Sequence, residues 1–384
     1  MTGGALRENQ LVKRLQKFVR FPSQQTELQE RDPAIKAFIE ECAAPEFQEM
    51  GLRVRYDPMG NMIVEAGPRE SDRSLMLVGY AMTHPAARME DPFSATLIDT
   101  PRGRAVRGRG VAEQKTALAA ACGAIAEIAA NGKLQGRLIF ALTTAGETGR
   151  HDAVESVLRS VPEAPRFAVV CIGTDSKVAV GNKGRIDFDA IVKGKTSHSS
   201  APWNGVNAIS GARRLLEQLE GLDLKVASHP AFGPATLTPT AIDSSPKATH
   251  TVPDAVRITF DRRLLPGEEP ERAFEQIRAA IVLDQPWQVE CRRGPVMYPN
   301  EIAMDGPLFR KLTEAFGKAG QGKPKHLYCN FALDAGYFGK QGIEAVMLGP
   351  GEIDQFHSSE EHVLVSDLVA MAEIYYALIE DCLS

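Results

Sequence analysis

Short apolar runs alternate with polar loops and helical patterns through the first half of the chain. Apolar residues recur at helical spacing over 5–20, which predicts an N-terminal helix. Unbroken apolar runs at 75–78, 138–142 and 167–172 are typical of strands covered on both faces. Each run leads into a polar loop, and an alanine-rich stretch over 117–130 predicts a helix between the first two runs. The pattern predicts an α/β sheet whose strand ends converge on one crevice.

Beyond about residue 183 the strands become half-exposed, which indicates a second domain. The predicted elements, in chain order, are a strand at 185–192, a helix at 205–220, strands at 235–242 and 255–264, a helix at 269–282 and a strand at 287–292. This β-α-β-β-α-β order is the ferredoxin-like pattern. From residue 295 the chain returns to longer helices. We therefore predict one discontinuous α/β domain, 1–182 and 294–384, interrupted by an inserted α+β domain, 183–293.

Composition and charge narrow the class of protein. The 384 residues suffice for two domains, and 43% hydrophobic with 24% charged residues is typical of a globular protein. A net charge of −5 without a basic run argues against a nucleic-acid partner. The N-terminus has no apolar segment of a signal peptide, and no apolar run approaches transmembrane length. We expect a cytoplasmic protein that is not associated with a membrane.

One stretch, Gly108-Arg109-Gly110 followed by Glu113, stands directly before the 117–130 helix. Glycines let a backbone approach closely, and a carboxylate at the entrance to a buried helix is well placed to bind a metal. The alternative is a loop glycine pair with an acid that favours the helix dipole. Other acids and histidines at the ends of apolar runs favour the first interpretation.

Further motifs follow in a fixed order along nearly the whole chain. They are GRG-x-x-E-x-K at 108–115, ETG at 147–149, NKGR at 182–185, HSSAPWNGVNAI at 198–209, VPDAVRITFDRR at 252–263, GPGE at 349–352 and a final His357. Together they resemble the metallopeptidase family of aminoacylase, acetylornithine deacetylase, succinyl-diaminopimelate desuccinylase and glutamate carboxypeptidase. The resemblance implies a zinc-peptidase-like three-layer α/β domain, an inserted ferredoxin-like lid that often dimerises, and two metal ions. It also implies hydrolysis of amide-type C–N bonds, in which two ions activate a bridging water and polarise the carbonyl.

The sequence departs from the family pattern at the metal site. The strand-end His-x-Asp of the family is Tyr80-x-Met82, and the bridging Asp is Glu113. The family's Glu-Glu pair is Gly146-Glu147, so the position of the catalytic base holds a glycine. General base catalysis is worth roughly 10²–10⁴ in rate, so this loss bears directly on mechanism.

The remaining ligand positions imply one ion. Glu113, Glu147 and His357 match the ligands of one of the two ions, with Asp175 nearby as a further ligand or as the cap of a turn. The other ion has lost its histidine, which His84 replaces only if the loop swings it into place. The resemblance therefore predicts one divalent ion, zinc or manganese, with a metal-free site as the alternative.

Other residues match positions that act on the substrate. His198 resembles the lid histidine that steadies the oxyanion in the partner subunit's site, and Glu147 and Tyr80 are alternative acid–base groups. Asn207 and Arg262 resemble residues that hold a substrate carboxylate, with Arg263 as the alternative if the strand register shifts by one.

The sequence thus predicts a homodimeric hydrolase of an amide-type C–N bond in a small carboxylate-bearing substrate. The homodimer is expected to form through the lid domain. The alternatives are a metal-independent enzyme of the same fold, with Glu147, Tyr80 or His198 as acid–base groups, and a non-catalytic binding protein.

Overall fold

We describe residues 8–131, 134–146 and 148–384 of a computed structural model of the chain. Glu147 therefore lies outside the described residues. The helices are α1 (Glu8–Arg20), α2 (Pro33–Ala37), α3 (Ala44–Glu49), α4 (Thr116–Asn131), α5 (Asp152–Ser160), α6 (Ala208–Glu220), α7 (Pro270–Ala280), α8 (Pro307–Lys318), α9 (Ala335–Lys340) and α10 (Val365–Leu383).

The strands divide among several sheets. They are β1 (Val54–Tyr56), β2 (Met62–Ala66), β3 (Ser74–Tyr80), β4 (Thr96–Thr100), β5 (Gly103–Arg107), β6 (Arg137–Thr143), β7 (Phe167–Val170), β8 (Val178–Asn182), β9 (Gly184–Lys193), β10 (Ser197–His198), β11 (Thr236–Ser245), β12 (Thr251–Val252), β13 (Ala255–Leu264), β14 (Gln288–Met297), β15 (Asn300–Glu301), β16 (His326–Cys329), β17 (Glu344–Met347) and β18 (His362–Leu364).

The chain forms two compact units. Among the described residues, the first comprises those of 8–181, 301–328 and 334–384, and the second comprises 182–300 and 329–333. The predicted boundaries at 183 and 293 lie close to these, but the short return of 329–333 to the second unit had no sequence signal.

The first unit is built on a mixed sheet with the strand order β1-β2-β6-β3-β7-β17-β8. Strands β6, β3, β7 and β17 run parallel to one another, so their carboxyl ends lie at one edge. Strands β3, β6 and β7 are fully buried because helices cover the sheet, as their unbroken apolar sequences predicted. The loops after β3, β6, β7 and β17 therefore meet at the edge where α/β sheets place their sites.

The core of this unit lies between the sheet and a layer of helices. Leu15 of α1, Leu118 of α4 and Leu378 of α10 belong to one buried cluster with Leu77 and Phe140 of the sheet. Burial on nearly every side explains why α4 is rich in alanine, since small side chains let neighbouring elements approach.

A three-stranded sheet, β18-β5-β4, was not predicted from the sequence. Its middle strand pairs with β18 directly after Glu361 and leads into the GRG loop. The sheet matters to the site because it joins the segment that carries His357 to the segment that carries Glu113.

The second unit is a four-stranded antiparallel sheet with the order β11-β13-β9-β14. With helices α6 and α7 between its strands, this is the ferredoxin-like topology that the sequence pattern predicted. One face of the sheet packs on α6 and α7 in a separate buried cluster.

No helix within 8–131, 134–146 and 148–384 is both long enough and apolar enough to cross a membrane.

Candidate active site

The GRG loop turns sharply before it delivers Glu113. Gly110 has φ of 80°, and a Cβ atom there would lie 2.5 Å from Cγ2 of Thr83. Both the left-handed backbone and the close approach require glycine. The π-helical turn Val111–Lys115 follows, and Glu113 lies in it with its side chain 8% exposed. The loop therefore places one carboxylate at the strand-end edge of the sheet.

A buried carboxylate, Glu361, holds this loop in place. Its Oε2 accepts hydrogen bonds from Arg109 Nη1 at 2.8 Å and from the Gly110 amide at 3.0 Å, and its Oε1 accepts one from the Ala112 amide at 2.9 Å. The side chains of Arg109 and Glu361 are each 1% exposed. Burial raises the pKa of Glu361, while the amides and Arg109 act in the opposite direction. One side chain thus joins the loop before Glu113 to the segment after His357.

Glu113 and His357, which the sequence predicted as two ligands of one ion, lie side by side, and their role as ligands stays a prediction. Nε2 of His357 lies 3.1 Å from Oε2 of Glu113. His357 itself adopts a left-handed backbone with φ of 61°, which few non-glycine residues do. Such conformations persist only where surrounding structure enforces them.

His84 packs against this pair. Its ring stacks on that of His357 with 3.7 Å between centroids and 16° between planes, and its Nδ1 donates a hydrogen bond to the Pro85 carbonyl. The stacking places His84 beside the pair of Glu113 and His357. It does not form a third ligand with Glu113 and His357, since the described residues contain no group of three or more His, Cys, Asp or Glu side chains that could hold a metal.

The donor atoms of Glu113 and His357 fit a single metal ion. Ligand atoms bound at about 2.0–2.2 Å in a tetrahedral arrangement lie about 3.3 Å apart. The 3.1 Å between the carboxylate oxygen and the imidazole nitrogen is close to that separation. The remaining predicted ligand, Glu147, lies outside the described residues.

Asp175 does not join these ligands. Its Oδ1 accepts a hydrogen bond from the Ile353 amide at 2.7 Å, and its Oδ2 pairs with Lys177 Nζ at 3.0 Å. Its φ of 56° places it in a tight loop turn. With both oxygens engaged in holding that loop, Asp175 acts as a turn residue, which was the alternative to the predicted metal ligand.

Tyr80 replaces the family's histidine at the end of β3 and is fully buried. Its hydroxyl donates to Asp334 Oδ2 at 2.9 Å, and Nδ1 of His151 lies 2.7 Å from Asp334 Oδ1. Burial first, and the Asp334 charge second, hold the pKa of Tyr80 well above its ordinary value. A buried phenol that stays protonated is poorly suited to acid–base catalysis, so the structure argues against the predicted catalytic role of Tyr80.

The space beside Gly146 explains the missing catalytic base. A Cβ atom on Gly146 would lie 2.7 Å from Cγ of Tyr80 and 3.0 Å from both Cβ and Cδ1 of the same residue. Real Cβ atoms do not approach carbon that closely, because packed interiors leave no overlap. The tyrosine ring therefore excludes a glutamate at position 146.

In the second unit, His198 lies exposed in a short loop at β10. The Ser200 amide donates to its Nδ1 at 3.2 Å, so the neutral ring carries its proton on Nε2. An exposed N–H donor has the chemistry predicted for an oxyanion-stabilising group. Its role stays a prediction.

Asn207 and Arg262 are both engaged within the second unit. The Asn207 side chain caps α6 by accepting a hydrogen bond from the Ile209 amide at 2.9 Å. Arg262 is 1% exposed, and its guanidinium is bonded to Glu268 and to the Arg263 carbonyl. Along β13, Arg262 shares the buried face and Arg263 the other face. Burial closes Arg262 to a substrate carboxylate within this unit, which favours the register alternative, Arg263, whose side chain is 27% exposed although it pairs with Asp261.

Three residues that shape the site were not predicted from the sequence: His151, Asp334 and Glu361. His151 precedes α5 and Asp334 precedes α9, two short helices that the periodicity did not reveal. Glu361 stood within an acidic pair after His357, which was the only available signal.

The mixed sheet with ligand-bearing loops at its strand ends, together with the ferredoxin-like unit, defines a zinc-peptidase-like hydrolase fold. The chain matches the family profile "Peptidase family M20/M25/M40" over residues 83–381. It is 30% identical to an acetylornithine deacetylase of Myxococcus xanthus over 321 residues, which cover 80% of each chain. It is 27% identical to a succinyl-diaminopimelate desuccinylase of Xanthomonas campestris pv. campestris over 320 residues, 80% of this chain and 83% of that one. The crystal structure of an M20 family metallo-carboxypeptidase from Sulfolobus solfataricus shares the fold, with a TM-score of 0.77, 15% identity and coverage of 97% and 99%.

The chain therefore belongs to peptidase family M20/M25/M40, and it is a hydrolase of amide-type C–N bonds. The family is one of metallopeptidases that generally use divalent ions. The resemblance drawn from the motifs is confirmed.

Proposed function

We propose that this hydrolase removes an acyl group from a small, carboxylate-bearing N-acyl amino acid with the help of one divalent ion, zinc or manganese. The observation that carries the proposal is the 3.1 Å approach of Glu113 Oε2 and His357 Nε2. Glu147 is assigned as the third ligand on the motif alone. The substrate class is supported by the relatives named for acetylornithine and succinyl-diaminopimelate, which both are N-acyl amino acids.

Each group has a separate task in this proposal. A single divalent ion, when bound, polarises a scissile carbonyl and lowers the pKa of a water molecule. Glu113 and His357 would hold that ion, and Glu361 orients the GRG loop so that Glu113 points toward His357. Nε2 of His198 donates a hydrogen bond to the developing oxyanion in the partner subunit's site, and Arg263 pairs with the substrate carboxylate.

A homodimer formed through the inserted unit is part of the proposal. Strand β11 is an edge of the four-stranded sheet, and its central residues are exposed. Exposed edge strands are ready to pair with a second copy across a two-fold axis. Light scattering at micromolar concentration should give twice the mass of the chain, and a monomer would contradict this assembly.

The test combines metal analysis with an activity screen. Protein purified after growth with zinc and manganese is analysed for metal content and assayed on N-acetyl and N-succinyl amino acids. We expect about one ion per chain, in keeping with one complete ligand set. Glu113→Gln and His357→Ala should each lower metal affinity by at least about 100-fold, since even residues behind the ligands change it 10–100-fold. His326→Ala, an exposed histidine on β16, is the matched control and should behave as the parent.

Three results would overturn the proposal. Two ions per chain would show that the one-ion site is wrong. Hydrolysis that survives a chelator and both ligand variants would favour a metal-independent enzyme. Absence of both metal and turnover, with ligand binding retained, would favour the binding protein.

A further inference from the structure

We infer that the protein has replaced the family's other metal ion with a buried cluster of its own side chains, Tyr80, Asp334 and His151, seated over Gly146. The cluster lies within the first unit, at the end of β3 and the beginnings of α5 and α9. This inference rests on the one-ion function proposed above, but its evidence is the packing and hydrogen bonding of residues other than the proposed metal ligands.

The residues at this position do not fit an ion. Tyr80, whose hydroxyl donates to the carboxylate of Asp334, takes the place of the family's histidine ligand. Gly146, which has no side chain, takes the place of the catalytic glutamate. The ring of Tyr80 also fills the volume next to Gly146, where an added Cβ would lie 2.7 Å from Cγ. The two departures from the family pattern are therefore one coupled change, because the tyrosine requires the glycine.

The cluster is complete as a hydrogen-bonded unit. Asp334 is 4% exposed, and a buried carboxylate is costly unless donors satisfy it. Tyr80 supplies one donor at 2.9 Å, and His151 lies 2.7 Å from the other carboxylate oxygen. A metal ion links several chain segments through its ligands. This cluster links the end of β3 to the beginnings of α5 and α9 through the shared carboxylate of Asp334.

A double-mutant cycle on thermal stability tests the coupling. Gly146→Ala should lower the unfolding midpoint by about 3–10 °C in the parent, as expected for overpacking in a domain of this size. The backbone of Gly146 is not left-handed, so the penalty comes from Tyr80 alone. In a Tyr80→Ala background the same change should be neutral or raise the midpoint, since the ring is gone. Gly317→Ala, where an added Cβ meets nothing within 4 Å, is the matched control and should not lower the midpoint in either background.

Tyr80→Phe provides a second arm in case Tyr80→Ala does not fold. It keeps the ring, so Gly146→Ala should still lower the midpoint by the same amount, while loss of the hydroxyl should itself lower it by several degrees through Asp334. An equal effect of Gly146→Ala with and without the ring would overturn the inference, as would Tyr80→Phe with an unchanged midpoint. Both readouts are taken with a chelator present, so that a bound ion does not contribute to the midpoint, and neither uses turnover. This inference and the proposed function can therefore fail separately.

Discussion

The buried carboxylate of Glu361 offers the sharpest single test of how the site is held. Glu361→Gln keeps the size and shape of the side chain but removes its charge. The amide can still accept one or two hydrogen bonds, but its NH₂ group must face Arg109 or a backbone amide, all of which are donors. Arg109, itself 1% exposed, is then left as a buried charge without its carboxylate.

The cost follows from burial. Removing one partner of a buried ion pair typically costs about 3–5 kcal/mol. At about 2–4 °C per kcal/mol for a large domain, the unfolding midpoint should fall by about 10 °C. The assay is thermal unfolding followed by circular dichroism, with zinc titration of the folded protein at a lower temperature. Because Glu361 positions the loop before Glu113, metal affinity should fall as well, by roughly the 10–100-fold typical of residues behind the ligands.

The neighbouring residue supplies the control. Glu360 has a side chain that is 77% exposed and lies 3.7 Å from Arg107. Exposed pairs contribute little, so Glu360→Gln should leave both the midpoint and the metal affinity close to those of the parent. If Glu361→Gln unfolded at the same temperature as Glu360→Gln, the buried pair would not be holding the loop, and the reasoning would be wrong.

Three further predictions address the turn, the arginines and the ion. Gly110→Ala should destabilise the fold by about 2–4 kcal/mol in urea unfolding, since it combines a left-handed backbone with a close approach to Thr83; a change below 0.5 kcal/mol would contradict the geometry. Arg262→Met should lower the free energy of unfolding by about 3 kcal/mol, because it leaves the carboxylate of Glu268 without its partner. Arg263→Met should instead raise KM with little loss of stability, and the reverse pattern would show that Arg262 is the residue that binds the substrate carboxylate. A chelator should lower the unfolding midpoint of the metal-loaded parent, because an ion at 100 times its Kd stabilises the folded state by about 2.7 kcal/mol. The midpoint of Glu113→Gln should not change on adding the chelator, and a drop of equal size in both proteins would place the ion elsewhere.

Much of the fold was readable from local pattern. The apolar runs at β3, β6 and β7 predicted buried parallel strands, because burial on both faces leaves no room for alternation. The half-exposed alternation of β9 and β13 predicted the antiparallel ferredoxin-like unit. Arg262 stands in register with Val256, Ile258 and Phe260, so its burial followed from the period of two.

Glu113 and His357 could be singled out from the sequence because each follows a strong local signal. Glu113 stands behind a glycine turn before a helix, and His357 follows a strand and a GPG turn. The sequence does not show that Glu361 holds the loop of Glu113, because that contact joins residues about 250 positions apart through a sheet, β18-β5-β4, without a clear pattern.

What only the tertiary structure decided is the fate of the second metal position. The sequence by itself determined that Tyr80 and Gly146 depart from the family pattern, but it presented them as two separate losses. Folding brings the tyrosine ring over the glycine and places its hydroxyl against Asp334, a residue 254 positions away. Periodicity and propensity describe neighbours along the chain, whereas this contact depends on which strand ends and short helices meet at the edge of the sheet. The ring of Tyr80 leaves no volume for a side chain at position 146, and only the three-dimensional packing shows that the two departures from the family pattern depend on each other.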